Sequence, residues 1–397
     1  GRSVVFGAPG TDSDGDPGAT VGKVYVYNLT ATGWRQTQQL DPPKGQRGER
    51  FGAAVAISGD VLVVSAPRHR TDVHEGNLIY GEVYVFSRQG GAWQLQDTLY
   101  KHSKYQSAAA GEYRRVLPFG ERVAISGNRI VASGQNDHDY PHGFVKNGAT
   151  WSYDSQLYTY SPNYDLTLHR LVISIDNNIA VIGPYSRSIK NMRFPVSHSI
   201  DHAVVAFIRN QHYWNQDADV YESYLPGEAS EGFGRQFAIS GNTLAIGVPR
   251  KQEGGKPAPG AVDFYVRTEA GWQQQYRLRS PQGEPGDDFG DWLAMSGSRL
   301  VVGSIDRKAR TRLASFFVRR GDAWHPLGTR PVPGKVPAAQ ATTTAATQRP
   351  SGLQEGANVD FPFACDGEVL VIGTERWTGT GRAAPERATL LRFPAEG

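Results

Sequence analysis

Apolar and polar residues alternate along most of this chain in short runs that end in glycine turns. The clearest run, FGAAVAISGDVLVVSAP from Phe51, holds two apolar stretches separated by Ser-Gly-Asp, and GEVYVF and AWQLQDTL follow it. Alternation with a period of two, broken by Gly-Asp or Gly-Asn pairs, is typical of β-hairpins. The unit therefore predicts four strands, which we name A (FGxxVAIS), B (xxLVVGAP), C (GxVYVF) and D (AWxLQxxL).

This four-strand unit repeats along the chain. Close copies begin at Phe119, Phe233 and Phe289, and degenerate copies begin at Leu168 and Val359. The chain also opens with the second half of a copy, GRSVVFGAP, which makes seven units. Four-stranded units that repeat without helices predict an all-β fold, a seven-bladed β-propeller of four-stranded antiparallel blades.

The repeat also predicts where each blade begins and ends within a single domain, residues 1–397. The predicted blades span about 1–49, 50–112, 113–167, 168–231, 232–287, 288–358 and 359–397, with a low-complexity connection at 328–358. The first unit lacks strand A and the last lacks strand D. Closure of the ring is therefore expected to need residues upstream of Gly1 or a strand from another chain.

The recurring motifs of strands A and B resemble the FG-GAP repeat, known from α-integrin propellers and from bacterial exported proteins. FG stands at 51–52, 119–120, 233–234 and 289–290, and the GAP half appears as Gly7-Ala8-Pro9, Ser65-Ala66-Pro67 and Gly247-Val248-Pro249. The resemblance, strongest to the bacterial form, implies a propeller that is secreted, periplasmic or on the cell surface. Integrin-type repeats hold calcium in acidic A–B loops. Here those connections are short turns such as Gly59-Asp60, so the family's calcium sites do not carry over.

Composition excludes several classes of function. Lys+Arg 42 against Asp+Glu 39 gives a formal net charge of +3, too small for a dedicated nucleic-acid binder. The single cysteine, Cys365, excludes an internal disulfide framework and a cysteine-based zinc cluster. No apolar run approaches the length of a membrane span. There is no phosphate loop, dinucleotide fingerprint or nucleophile elbow, so no cofactor is predicted.

One acidic group leaves a calcium site open. Asp12, Asp14 and Asp16 lie in TDSDGDPG, in a predicted B–C connection. Alternating carboxylates offer the oxygen ligands that Ca²⁺ takes. A solvated turn accounts for the same residues, and calcium is the weaker of the two interpretations.

The two ends of each predicted blade differ. The A–B and C–D turns share one end and are short, which we call the short-turn end. The B–C and D–A connections share the other end and are long and varied, which we call the long-connection end. Binding and catalytic residues concentrate in such connections on a rigid scaffold, so the long-connection end is the predicted functional face.

Chemistry-bearing residues are concentrated at this end. Eight of the ten histidines fall there, in blades 2 to 4: His69, His74, His102, His138, His142, His169, His198 and His202. Tyrosines and arginines enrich the same rim, and the candidates among them are Tyr113, Tyr140, Tyr185, Arg122, Arg170 and Arg235. Six tryptophans occupy the repeated position of strand D and predict packing between blades: Trp34, Trp93, Trp151, Trp214, Trp272 and Trp324. Trp292 and Trp377 are off this pattern, and either stack on a ligand or anchor a loop.

Two functions remain open, and a purely structural role in a larger assembly is the least favoured interpretation. In the first, an exported propeller binds a polysaccharide or cell-surface glycan, anionic by preference, or a protein partner. Its ligand-binding candidates are Trp292, Trp377, Arg235, His102, Tyr113, His198 and His202. In the alternative, the protein is a polysaccharide lyase. Its acid–base candidates are His138, His142, His169, Tyr140 and Tyr185, with Arg122 and Arg170 to neutralise a uronate carboxylate. A transition-metal site with His138, His142, His198 and His202 as ligands is the weakest interpretation, because the His138–His142 pair lies on a loop without the fixed spacing of a helix.

Overall fold

The fold is given by a computed structural model of the 397-residue chain. It describes residues 3–9, 21–73, 77–100, 119–134, 140–158, 164–189, 198–210, 213–220, 230–253, 256–281, 283–309, 311–335, 363–366, 369–374 and 387–392. The chain divides into two compact parts, Gly1–Val220 and Tyr221–Gly397. Within the described ranges every regular element is a strand, and no helix there could cross a membrane.

The first part contains four antiparallel sheets. Their strands are β1 (Ser3–Ala8), β2 (Lys23–Thr30), β3 (Gly33–Leu40), β4 (Val55–Ser58), β5 (Val61–Val73), β6 (Asn77–Gln89), β7 (Ala92–Leu99), β8 (Phe119–Ser126), β9 (Arg129–Gly134), β10 (His142–Asn147), β11 (Thr150–Gln156), β12 (Tyr164–Asp176), β13 (Ile179–Ile189), β14 (His198–Arg209) and β15 (Trp214–Val220). Each sheet takes consecutive strands in chain order: β1–β3, β4–β7, β8–β11 and β12–β15. We number these sheets blades 1 to 4.

The second part repeats the arrangement. Its strands are β16 (Ser230–Glu231), β17 (Phe237–Ser240), β18 (Thr243–Val248), β19 (Arg250–Glu253), β20 (Lys256–Pro257), β21 (Ala261–Thr268), β22 (Gly271–Arg279), β23 (Leu293–Ser296), β24 (Arg299–Asp306), β25 (Thr311–Arg320), β26 (Ala323–Lys335), β27 (Phe363–Asp366), β28 (Val369–Thr374) and β29 (Arg387–Arg392). Blade 5 is β17-β18-β21-β22 and blade 6 is β23–β26. A small sheet, β16-β19-β20, accompanies blade 5, and β27–β29 form a three-stranded C-terminal sheet.

The blades confirm an all-β propeller architecture of four-stranded antiparallel sheets, but the predicted number of seven is wrong. The structure shows six blades, counting as a blade a sheet whose described side chains pack against a neighbour. In the described part of the seventh repeat the strands are β27, β28 and β29. The side chains of that sheet lie outside the described residues. The predicted blade boundaries and the upstream closing strand remain predictions.

The apolar core lies between successive blades. Strand B and strand C side chains of blade 2, such as Val63 and Val83, pack against Phe119, Ile130 and Phe144 of blade 3. Equivalent clusters join blades 1 and 2, blades 3 and 4, and blades 5 and 6. Both faces of a strand that is buried on both sides must be apolar, which explains continuous runs such as the LVV of strand B.

Four of the six repeated tryptophans belong to these clusters, as predicted, whereas Trp34 and Trp272 are half-buried. Trp93, Trp151, Trp214 and Trp324 are between 4% and 7% exposed, and each packs against the preceding blade. A ring of this size buries more apolar area than any other side chain. The tryptophan position therefore carries much of the attraction between neighbouring blades.

The FG motif of one blade meets a glycine of the previous blade. Phe51 and Phe119 are fully buried, and the backbone of each lies against the first glycine of the strand C motif in the previous blade, Gly22 and Gly81. A Cβ on Gly81 would overlap the backbone of Phe119, and its φ of +93° is a conformation that favours glycine. The glycines of the motif therefore permit the close approach of successive blades.

Hydrogen bonds repeat from blade to blade as well. Near the end of strand D, Gln38, Asp97 and Ser155 each accept a hydrogen bond from the backbone N–H of the next blade's tryptophan, at 2.7, 3.0 and 3.0 Å. At the short-turn end, Ser58 and Ser126 accept from the backbone N–H groups of the following blade's A–B turn, both at 3.0 Å. These bonds link adjacent blades in the first part of the chain.

Candidate functional site at the long-connection end

The strand ends confirm that the two ends of the blades differ. In blade 2, strand β4 ends at Ser58 and β5 begins at Val61, so the A–B turn holds two residues. Strand β6 ends at Gln89 and β7 begins at Ala92, so the C–D turn also holds two residues. At the opposite end β5 and β6 continue past the blade, with a register shift between Ala66 and Arg70. The irregular, extended geometry therefore lies on the face where the sequence predicts function.

A buried polar cluster lies at this end of blade 2. Nδ1 of His69 is 2.6 Å from Oε2 of Glu49, and Nε2 of His69 is 3.5 Å from Oε1 of Glu82. The side chains of Glu49 and Glu82 are 0% exposed and that of His69 is 1% exposed. Buried carboxylates are costly unless charges and hydrogen bonds compensate them. The histidine therefore holds two chain segments together, the D–A connection that carries Glu49 and strand C that carries Glu82.

Local sequence explains how these three residues converge. Glu49 stands two residues before the buried Phe51, and its backbone oxygen accepts a hydrogen bond from the N–H of Arg68 at 3.1 Å. That bond places His69, the next residue, beside the Glu49 carboxylate. Glu82 directly follows Gly81, whose close packing on the next blade fixes the start of strand C.

Lys44 connects the buried cluster to solvent. Its Nζ is 2.6 Å from Oε1 of Glu82 and 5.7 Å from the centre of the Tyr100 ring, while its side chain is 42% exposed. Burial lowers the pKa of Lys44, but the hydrogen bond and charge of Glu82 outweigh it, so the net pKa is raised above 10.5. Lys44 is therefore charged, and the buried carboxylate of Glu82 holds its ammonium group in place.

Tyr84 completes the cluster from strand C. Burial, and next the neighbouring carboxylate of Glu82, raise the pKa of the Tyr84 phenol far above 10.0, so this group stays neutral. Because His69 is inaccessible, the cluster positions groups at the rim and offers no base to an external substrate.

Blade 3 places two predicted residues very differently. The ring of Tyr140 lies 4.7 Å from that of Tyr158, which is 53% exposed, so this aromatic pair lies at the surface. His142 is only 2% exposed and packs edge-on against Phe119, with ring centres 5.7 Å apart. The expectation that His142 is a rim histidine is therefore corrected. Strand β10 begins at this residue, and its side chain points into the core between blades.

Two of the arginines predicted at the start of strand A, Arg122 and Arg235, are half-buried. Arg122 donates from Nη1 to its neighbour's backbone, the oxygen of Glu121, at 3.1 Å. Oε1 of Glu121 also lies 3.7 Å from Nη1 of Arg50, which belongs to the preceding D–A connection. Arg235 holds the same repeat position in blade 5 that Glu121 holds in blade 3. These guanidinium groups lie at the long-connection ends of their blades.

In blade 4 the backbone brings several predicted residues to one level of the sheet. Tyr185 pairs with Leu168 on one side and with Ala203 on the other. The next regular pair is Val172 with Gly183, so His169 and Arg170 fall within a bulge. His202 immediately precedes Ala203. Bulges of this kind are frequent next to functional sites.

The remaining candidates are either in the core or outside the described residues. Trp292 is 3% exposed, in a cluster with Val301 and Phe316, so the expectation of an exposed stacking surface is not met. Its ring fills the space over Gly303, where a Cβ would overlap it. Strand β14 carries His198, paired with Ile189. Outside the described residues lie His102, Tyr113, His138 and Trp377, and with them the predicted calcium residues Asp12, Asp14 and Asp16. Within the described ranges no group of three metal-ligating side chains could hold an ion.

Sequence reasoning missed the acidic partners and one exposed ring. Glu49, Glu82 and Lys44 were not candidates, because single charges in a connection look like solvated surface. The available signal was GER before FG and GE at the start of strand C, where an acid falls beside an otherwise apolar or glycine-rich core position. Tyr158 was missed because it lies just beyond strand D.

Comparison with known proteins supports the repeat. Residues 34–86 match the FG-GAP repeat family. That segment runs from strand D of blade 1 to strand C of blade 2, and it includes the cluster residues Lys44, Glu49, His69 and Glu82. The chain therefore contains an FG-GAP repeat within its propeller blades. No curated protein matches the chain.

Solved structures give weak similarities. A protein from Lactobacillus plantarum is 10% identical, covering 85% of this chain and 97% of its own, with a TM-score of 0.35. The six-bladed, fucose-recognising Aleuria aurantia lectin is 12% identical over 85% and 97%, with a TM-score of 0.37. Chaetomium thermophilum Sqt1 is 13% identical over 81% and 83%, with a TM-score of 0.41. At these scores the similarities carry no argument about this chain.

Proposed function

We propose that this propeller is a binding protein that recognises a glycan, anionic by preference, at the long-connection end of its blades. The observation that carries the proposal is Lys44, a half-exposed ammonium held at 2.6 Å from the fully buried Glu82. A buried acid–base network that fixes one charged group at a rim is a feature of preorganised binding sites. FG-GAP repeats are typical of extracellular proteins, so we propose that binding takes place outside the cytoplasm.

The anionic preference rests on arginine rather than on Lys44. The carboxylate of Glu82 already pairs with the Lys44 ammonium at 2.6 Å. Arg122, which is half-buried, lies at the long-connection end of blade 3, and a planar guanidinium fork pairs well with carboxylate or sulfate. A partner with uronate or sulfate groups would meet this arginine.

Retention on polysaccharides tests this proposal. Polygalacturonate, alginate and the neutral polymer laminarin are cast separately into native gels, and the mobility of the wild-type chain is compared in each. We expect retention in the uronate polymers, reduced by Arg122→Ala and unchanged by Arg35→Ala, an exposed arginine at the short-turn end. Equal mobility of the wild type in all gels would show that the chain is not a glycan-binding protein.

A lyase is the alternative function, favoured by one observation, the bulge in blade 4. His169 and Arg170 lie within it, and Tyr185 and His202 reach the same level of the sheet. An eliminating lyase needs a base for the C5 proton of a uronate, a cation on its carboxylate and an acid for the leaving oxygen at C4. The products are a shortened chain and an unsaturated sugar that absorbs ultraviolet light.

Absorbance of unsaturated products decides between the two functions. A signal on polygalacturonate or alginate that is lost in His169→Ala and kept in His325→Ala, an exposed histidine on strand β26, would establish the lyase. Retention in the gels without any absorbance change would support binding alone.

A further inference from the structure

Two exposed tyrosines occupy one repeat position in adjacent blades. Strand D of blades 2 and 3 has the same register, with a one-residue bulge opposite Val85/Phe86 and opposite Gly143/Phe144. Counted from the tryptophan of each strand, Trp93 and Trp151, the seventh following residue is Tyr100 and Tyr158. The same count from Trp214 reaches Tyr221, which lies outside the described residues. The tyrosine is therefore a property of the repeat in this region of the chain.

Both rings are held outside the core by the residue before them. Leu99 is 4% exposed and Leu157 is 0% exposed, whereas Tyr100 and Tyr158 are 45% and 53% exposed. In both blades the buried leucine lies at the C-terminal end of strand D or directly after it. The tyrosine that follows the leucine therefore lies at the long-connection end. A large exposed ring therefore occupies the same position at the long-connection end of two adjacent blades.

Each ring has a polar or aromatic companion. Lys44 lies over the Tyr100 ring at 5.7 Å, and the Tyr140 ring lies 4.7 Å from that of Tyr158. The amide of Gln156 donates to the backbone oxygen of Tyr140 at 3.4 Å, which helps hold the pair. Each position thus combines an apolar face with hydroxyl, amide or ammonium groups.

This combination fits a sugar better than a protein surface. The large apolar side chains exposed in the described part of the chain are Leu95, Tyr100, Tyr158 and Tyr213. A protein interface has a contiguous apolar centre, whereas the two tyrosines here are placed one per blade. A pyranose presents a C–H face to an aromatic ring and hydroxyls to the surrounding polar groups. Repeated rings suit a ligand with repeated units.

We propose that Tyr100 and Tyr158 are successive stacking subsites for sugar rings of one polysaccharide chain that crosses blades 2 and 3. This inference rests on the proposed function and adds to it the residues that stack on the sugar rings. Lys44 and Tyr140 orient their partner rings and hydrogen-bond to the sugar hydroxyls at each subsite. A long chain that occupies both subsites binds more tightly than a disaccharide, because the second contact is intramolecular.

The test compares four variants on polygalacturonate, alginate and laminarin gels and by calorimetry with a disaccharide and a long oligomer of the retained polymer. Tyr100→Ala and Tyr158→Ala are each expected to weaken polymer binding about 3- to 10-fold, and the double variant by the product of the two losses. Tyr213→Ala is the matched control, because Tyr213 is 51% exposed but lies at the C–D turn of blade 4, at the short-turn end. All four variants should melt like the wild type, since the rings are exposed.

The outcomes separate this inference from the proposed function. Retention of the wild type together with loss in the double variant and a gain in affinity with chain length supports the tyrosine subsites. If the wild type is retained and the double variant binds like Tyr213→Ala, the subsites are wrong while glycan binding stands. If no polymer retains the wild type, the proposed function is wrong, and this inference with it.

Discussion

The imidazole of His69 lies 2.6 Å from the carboxylate of Glu49, and both side chains are inaccessible to solvent. Replacing His69 with leucine leaves Glu49 buried without its partner. Loss of one member of a buried pair typically costs about 3–5 kcal/mol of the free energy of unfolding. We expect a loss of that size in urea unfolding, and a smaller loss when Glu49→Leu is added to His69→Leu, because the buried carboxylate is then removed together with its partner.

The control for this pair is His325→Leu. His325 is exposed on strand D of blade 6, and its replacement should change the free energy of unfolding very little. If His69→Leu costs no more than His325→Leu, the buried pair does not hold the D–A connection in place.

The approach of Gly81 to the backbone of Phe119 gives a second prediction. Gly81→Ala must relieve a backbone overlap and tolerate a φ of +93°, so we expect a loss of more than about 2 kcal/mol in the free energy of unfolding. Gly59→Ala is the matched control, since its φ is +57° and nothing lies within 4 Å of its Cβ position. Thermal unfolding of both variants measures the difference, and equal losses would show that blade contact at Gly81 is not tight.

The hydrogen bond between the D strands of blades 2 and 3 gives a third prediction. The Asp97 carboxylate accepts a hydrogen bond from the buried backbone N–H of Trp151 at 3.0 Å. Asp97→Ala leaves that N–H without its acceptor, at a cost of about 1–3 kcal/mol. Asp97→Asn keeps a carbonyl acceptor and should recover most of the stability. Equal destabilisation by both variants would contradict a hydrogen-bonding role.

Much of this architecture follows from the sequence, and the reasons are local. Alternation of apolar and polar residues, together with the Gly-Asp turns and the FG motifs, predicts the strands. The repeated tryptophan predicts the packing between blades. The site was less predictable. His142 occurs in a segment that resembles a loop, yet it begins strand β10, and burial of one side chain depends on tertiary contacts that no local pattern encodes. Trp292 is buried for the same reason. Glu49 and Glu82 are far apart along the chain and meet only in the folded blade.

The buried carboxyl group of Asp287 predicts a pH dependence in blade 6. Burial raises the pKa of Asp287 above 3.8, and hydrogen bonds from Ser280 and from the N–H groups of Phe289 and Gly260 offset only part of that effect. The folded state therefore binds the proton more tightly than the unfolded state does. Its contribution to stability is full below the unfolded pKa and is lost as the pH rises through the folded pKa.

Asp287→Asn isolates this contribution. The difference in free energy of unfolding between wild type and Asp287→Asn should shift in favour of the wild type as the pH falls from 7 toward 4. Urea unfolding at several pH values measures the difference. A constant difference over that range, or one that moves the other way, would contradict a raised pKa.

Hydroxyl-radical footprinting of the tyrosines with and without bound polygalacturonate tests most directly which end of the blades binds the ligand. We expect the polymer to protect Tyr100 and Tyr158, at the long-connection end of blades 2 and 3, and to leave the similarly exposed Tyr213 at the short-turn end unprotected. Protection of Tyr213 alone, or equal labelling of all three tyrosines at saturating polymer, would contradict the claim that this end of the blades binds the ligand.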